Sequence, residues 1–164
     1  MFNVLKSNIA ESSESDQENI AKLQGLLNDR GTKTILSDSC DKDVLGYFHK
    51  LTAGNSNSTK TEIVLCTTNL DMQDNAMIWK TLAHETGHAM QQCSGGSISD
   101  LKTFQNWESQ LQGHARNAMY TIHKRYSRYN YNDEVEARMM ERLPAWEVIE
   151  KYQKFCPNKS TQKS

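Results

Sequence analysis

The sequence predicts an α+β fold, with short strands in its first half and long helices in its second. Two observations carry this. Strand-like runs at 32–36, 45–51 and 61–67 are separated by polar, turn-rich stretches. Beyond Asp74 the chain changes character and reads as three long helical stretches.

Taken in order, residues 7–18 are rich in Ser, Glu, Asp and Asn, the chemistry of a solvated arm or a frayed helix start. From Asp16 to about Asn28, Ile20, Leu23, Leu26 and Leu27 recur at helical spacing, and Asp29-Arg30-Gly31 closes that helix with Gly31 as cap. Asp38 to Asp43 is polar and turn-like. Thr52 to Lys60, loaded with Gly, Asn and Ser, has the makeup of a hairpin loop. A helix from about Asn75 to Gln92 is stopped by Ser94-Gly95-Gly96-Ser97. A second covers about Asp100 to Arg128. A third covers about Asp133 to Phe155, where Pro144 kinks or breaks it.

A length of 164 residues suits one domain, 1–164, with residues 1–15 as a flexible arm and 157–164 as a flexible tail. The formal net charge of -1 gives no global pull toward nucleic acid or a membrane surface, and the apolar runs are too short to span a bilayer. Met1 to Ala10 lacks a basic flank and a sustained apolar stretch, so no export signal is visible and a cytoplasmic location is favoured. None of Cys40, Cys66, Cys93 and Cys156 forms a CxxC pair, which argues against a cysteine-rich zinc ribbon. In that compartment free thiols are expected. If one bridge exists, Cys93–Cys156 would tie the end of the motif helix to the C-terminal segment.

The segment that carries chemistry is His84-Glu85-Thr86-Gly87-His88. On a helix, His84 and His88 point the same way and can hold one zinc ion. Glu85, beside the first ligand, can reach a water held on the metal and act as general base. Leu82, Ala83 and Ala89 are small or apolar, as a buried helix requires. Gly87 costs about 1 kcal/mol against Ala inside a helix, so another backbone or a substrate is expected to pack close there.

Thr81-Leu82-Ala83-His84-Glu85-Thr86-Gly87-His88-Ala89 resembles the zinc-binding helix of the zincin metallopeptidases. The resemblance implies an antiparallel sheet beside that helix, with the strand at Glu62–Thr67 as the edge that pairs with an extended peptide or protein substrate. It also implies a third ligand. The metzincin extension would need Gly at 91 and His at 94, where this chain has Gln91 and Ser94. Asp133-Glu134-Val135-Glu136-Ala137-Arg138 resembles instead the gluzincin pattern, in which a glutamate on a later helix completes the site. Two glutamates compete. The resemblance to those gluzincin families whose ligand stands three residues before a small Ala implies Glu134, whereas helical phase favours Glu136, which shares its face with Met139, Met140 and Leu143. A carboxylate on an apolar face is costly without a charged partner, so Glu136 is the preferred ligand and Glu134 the alternative.

The expectation is therefore a zinc-dependent peptidase: His84, His88 and Glu136 hold zinc, and Glu85 activates water. The alternative is a non-catalytic, zinc-stabilised binding or regulatory module, with Cys93 as a conceivable fourth donor. His49, His114 and His123 read as ordinary histidines, although His114, His123, Tyr129 or Tyr131 could meet a developing oxyanion. The stretch from Arg116 to Tyr131 interleaves basic residues with tyrosines. It reads as a solvated face over an aromatic core, so nucleic acid is not an expected partner.

Overall fold

The computed structural model describes residues 15–52, 59–111 and 131–158. The N-terminal arm, the expected hairpin loop, the later part of the expected 100–128 helix with His114, His123 and Tyr129, and the end of the tail lie outside the described residues.

Helix α1 spans Asp16–Asp29 and starts on a capping box. The Ser15 hydroxyl accepts from the Glu18 amide at 3.3 Å, and the Glu18 carboxylate accepts from the Ser15 amide at 2.9 Å. Three strands follow: β1 (Thr32–Ser37), β2 (Gly46–Thr52) and β3 (Thr59–Cys66). The sheet order is β1-β3-β2. β2 pairs antiparallel with β3 from Gly46↔Leu65 to Thr52↔Thr59, and β1 pairs parallel with β3 from Thr32↔Thr61 to Ser37↔Cys66.

The sheet is therefore mixed and not antiparallel as expected. The end of β1 and the start of β2 lie on opposite edges of the same end of β3, Ser37 beside Cys66 and Gly46 beside Leu65, so the link 38–45 passes round that end. Asn69 pins the link by donating to the Asp41 and Val44 carbonyls at 2.8 and 2.9 Å. A second correction concerns β3, which is the central strand and not the edge. Its run of four buried residues, Ile63 to Cys66, is the pattern of a strand covered on both faces.

Helix α2 (Asn75–Ser94) is the axis of the fold. Asp74 caps its start by accepting from the Met77 amide at 3.0 Å. Gly95 ends it in the left-handed conformation at φ 75°, which only glycine adopts without cost. Ile78, Trp79, Leu82, Ala83, Ala89 and Met90 are all buried, because α1, β2, β3 and two later helices pack around it. Helix α3 (Leu101–Gln110) follows. The third expected helix is two: α4 (Tyr131–Met140) and α5 (Ala145–Phe155), separated where Pro144 takes the N-cap of α5. No helix among the described residues is long and apolar enough to cross a membrane.

Both possible disulfides are formed, Cys40–Cys66 and Cys93–Cys156, against the expectation of free thiols. The first fastens the 38–45 link to the end of β3. The second joins the end of α2 to the residue after α5, the bridge favoured if any existed. Residue counting misses this, since pairing depends on which chain ends the fold brings together.

α2 and α4 pack tightly at Gly87. A Cβ there would stand 2.9 Å from the Ala137 Cα and 3.2 Å from the Met140 Cγ. The close backbone expected from Gly87 is that of α4. Helix propensity alone would make Gly87→Ala stabilising by about 1 kcal/mol. Overpacking against backbone should reverse the sign, for a net loss of about 1–3 kcal/mol and a drop in Tm of several degrees on thermal denaturation.

Candidate metal centre

His84 and His88 lie one turn apart on α2 and face α4. Side-chain pairs between the helices run in reverse order: His84 meets Glu141, Gly87 meets Ala137, His88 meets Glu134, and Gln91 meets Asp133 and Glu136. The two helices are thus antiparallel neighbours, and the small residues at Gly87 and Ala137 let the polar side chains on either side converge.

The Glu134 carboxylate sits between the two imidazoles. Its Oε2 is 3.6 Å from His84 Nε2 and its Oε1 is 3.5 Å from His88 Nε2. One donor atom from each of the three residues falls within 4.8 Å of the others. These separations exceed good hydrogen bonds. They match the spacing of about 3.4 Å between two ligands of one ion held tetrahedrally at about 2.1 Å. Glu134 is 4% exposed, and its Oε2 has no hydrogen-bond partner among the described residues. A buried carboxylate oxygen left this way is costly unless a cation meets it.

The outer nitrogen of each ring is occupied. His84 Nδ1 is 2.7 Å from Glu141 Oε1, and that oxygen also accepts from Arg138 at 2.9 Å. His88 Nδ1 is 2.9 Å from Gln91 Oε1. Both partners accept, so both rings carry their proton on Nδ1 when neutral and turn the Nε2 lone pair toward Glu134. This arrangement orients histidines for metal ligation. The donor set of two imidazoles and a carboxylate suits zinc.

The electrostatics agree with a site built for positive charge. Burial disfavours a charged His88 ring, yet pairing with Glu134 and the charges of Glu85 and Glu134 outweigh it and hold its pKa above the ordinary histidine value. Burial likewise opposes an ionised Glu134, but the His88 contact and the charges of His84, His88 and Arg138 hold its carboxyl below the ordinary glutamate value. Glu141 is lowered in the same sense: His84 and Arg138 together overcome its burial.

Glu136, the preferred third ligand in the sequence, is not in this cluster. It is fully buried, but its carboxylate accepts from the Ser97 hydroxyl, from the Ile98 amide at 3.1 Å, from the Ser99 amide at 3.0 Å and hydroxyl at 2.5 Å, and from Gln91 Nε2 at 3.0 Å. The carboxylate on the apolar face of α4 is buried, as its phase predicts, and needs compensation. The compensation is hydrogen bonds from the 97–99 loop, and the alternative, Glu134, is the residue beside the histidines. Phase could not separate the two, because α4 is buried at Glu134, Val135, Glu136 and Ala137 alike.

Cys93 is bonded to Cys156, which removes it as a fourth donor. The Tyr131 hydroxyl donates to Glu108 at 2.9 Å. His49 pairs with Glu62 across the sheet at 3.1 Å. Glu85 is buried, and its charge acts on His88. Sequence reasoning missed Gln91 and Glu141. Each follows a residue of the cluster at a spacing that keeps the helical face: Gln91 three after His88 on α2, and Glu141 seven after Glu134, one residue past the end of α4.

A family model described as a domain of unknown function, DUF8637, matches residues 37–157, a span that holds every residue of this centre. Neither a curated protein nor a solved structure matches the chain.

In the metal-free protein, Glu134→Gln should lower the His88 pKa, as read by NMR titration of the ring. His88 is raised, so its share of metal-free stability is present at low pH and is lost as pH rises through its folded pKa. Glu134 is lowered, so its share is lost as pH falls through its own folded pKa. Metal affinity should move the other way from the histidine share, falling as pH drops through the His88 pKa, because the proton competes for Nε2.

Proposed function

The chain belongs to the DUF8637 family, and from the geometry of its buried centre we propose that it is a zinc-dependent metallopeptidase of zincin kind. The observation that carries the reading is the convergence of His84, His88 and Glu134, with both outer ring nitrogens already bonded to acceptors. In this reading the ligands are His84, His88 and Glu134. Bound there, zinc would supply Lewis acidity, polarising a peptide carbonyl and lowering the pKa of water toward about 7.

Glu85 stands next to the first ligand on the same helix and supplies the base. Its carboxylate takes a proton from the attacking water as the new C–O bond forms. It returns that proton to the amide nitrogen as the C–N bond breaks, so acid and amine leave with the atoms of one water added. The close packing of α2 keeps Glu85 out of bulk solvent, where its charge acts at short range.

The substrate class proposed is an extended peptide. β1 and β2 are the outer strands, and β2 is the one beside the motif helix: a Cβ on Gly46 would stand 2.8 Å from Thr81 Cγ2, one turn before Glu85. A peptide added along β2 would therefore run toward the centre. The two disulfides favour an oxidising compartment over the cytoplasm.

The test is metal content together with turnover. Purified protein should hold about one zinc per chain, lost in His84→Ala, His88→Ala and Glu134→Gln. Glu85→Gln should keep its zinc and lose at least about 100-fold in hydrolysis of unstructured peptides, followed by mass spectrometry. Full turnover in Glu85→Gln, or zinc retained by Glu134→Gln, would contradict the assignment.

A further inference from the structure

Gln91 is placed where only one orientation of its carboxamide works. Its Nε2 donates to the Asp133 carbonyl at 2.9 Å and to Glu136 Oε2 at 3.0 Å, which uses both amide hydrogens. Turning the amide over would aim its oxygen at two acceptors and lose both bonds. Its Oε1 must therefore face His88 Nδ1, where it can only accept. Glu136 in turn is held in place by the Ser97 and Ser99 hydroxyls and the Ile98 and Ser99 amides, which all donate to its carboxylate. Glu136 lies outside the His84, His88 and Glu134 cluster and is not a ligand in the reading above.

We propose that Glu136 and Gln91 are positioning residues: Glu136, anchored by the Ser97-Ile98-Ser99 loop, locks the Gln91 amide, and Gln91 locks His88 as the Nδ1–H tautomer with Nε2 turned toward Glu134. The metal half of this inference rests on the zinc reading; the tautomer half does not. It also gives a buried carboxylate outside the ligand cluster a task, and it couples the loop that follows α2 to the second imidazole. His84 has an independent lock in Glu141 and serves as an internal reference.

The experiment is 15N NMR of the histidine rings in the metal-free full-length chain, at a pH high enough to leave the rings neutral. It is paired with zinc titration against a chromophoric chelator, for wild type, Gln91→Met and Glu136→Gln. Wild-type His88 should be the Nδ1–H tautomer. In both variants His88 should shift toward Nε2–H while His84 stays unchanged, and the zinc Kd should rise about 10- to 100-fold. Wild-type His88 in the Nε2–H form would overturn the proposal without recourse to any variant, should the variants fail to fold. So would Gln91→Met with an unshifted His88 and a Kd within about twofold of wild type, or a shift shared equally by His84. If wild type binds no zinc but shows the locked tautomer, the metallopeptidase reading fails and the positioning relay stands.

Discussion

The backbones of α2 and α4 come together where Gly87 faces Ala137, and the centre depends on that approach. Any larger side chain at position 87 would hold the helices apart. The contacts on either side, Glu134 with both histidines and Glu141 with His84, would then open as well. The axis helix tolerates glycine there because its stability comes from burial on nearly all sides and not from intrinsic propensity. The end of α2 is held by the bridge from Cys93 to Cys156.

That approach buries two carboxylates from one short helix, each made tolerable by a different means. Glu136 is compensated completely by donors from Gln91 and the 97–99 loop. Glu134 is compensated only in part. It has two imidazoles nearby at distances too long for good hydrogen bonds, and one of its oxygens has no partner among the described residues. A satisfied buried ion serves architecture, whereas an under-satisfied one beside two oriented lone pairs is prepared for a ligand. This contrast, more than the motif itself, supports the metal reading.

Much of this was legible in the sequence, for physical reasons that can be named. The helix around His84 and His88, its stop at Gly95 and the break at Pro144 rest on local chemistry, and local chemistry is written in neighbouring residues. The central position of β3 and the parallel pairing of β1 were not, because strand order depends on how the 38–45 link is pinned by Asn69 and Cys66. Which of Glu134 and Glu136 lies beside the histidines was hidden for a related reason. The stripe of Glu134, Arg138 and Glu141 looks solvated on a helical wheel, yet it is the stripe that faces His84. Polar periodicity cannot distinguish water from a buried polar site. The two disulfides were hidden for the same reason as the strand order, since contacts between distant segments decide them.

X-ray absorption at the zinc edge on the zinc-loaded full-length chain tests the central claim most directly. The account predicts scattering from two imidazole nitrogens together with oxygen, all at about 2.0–2.2 Å, and no sulfur. Fewer than two imidazoles, a sulfur shell, or a chain that takes up no zinc at all would contradict it.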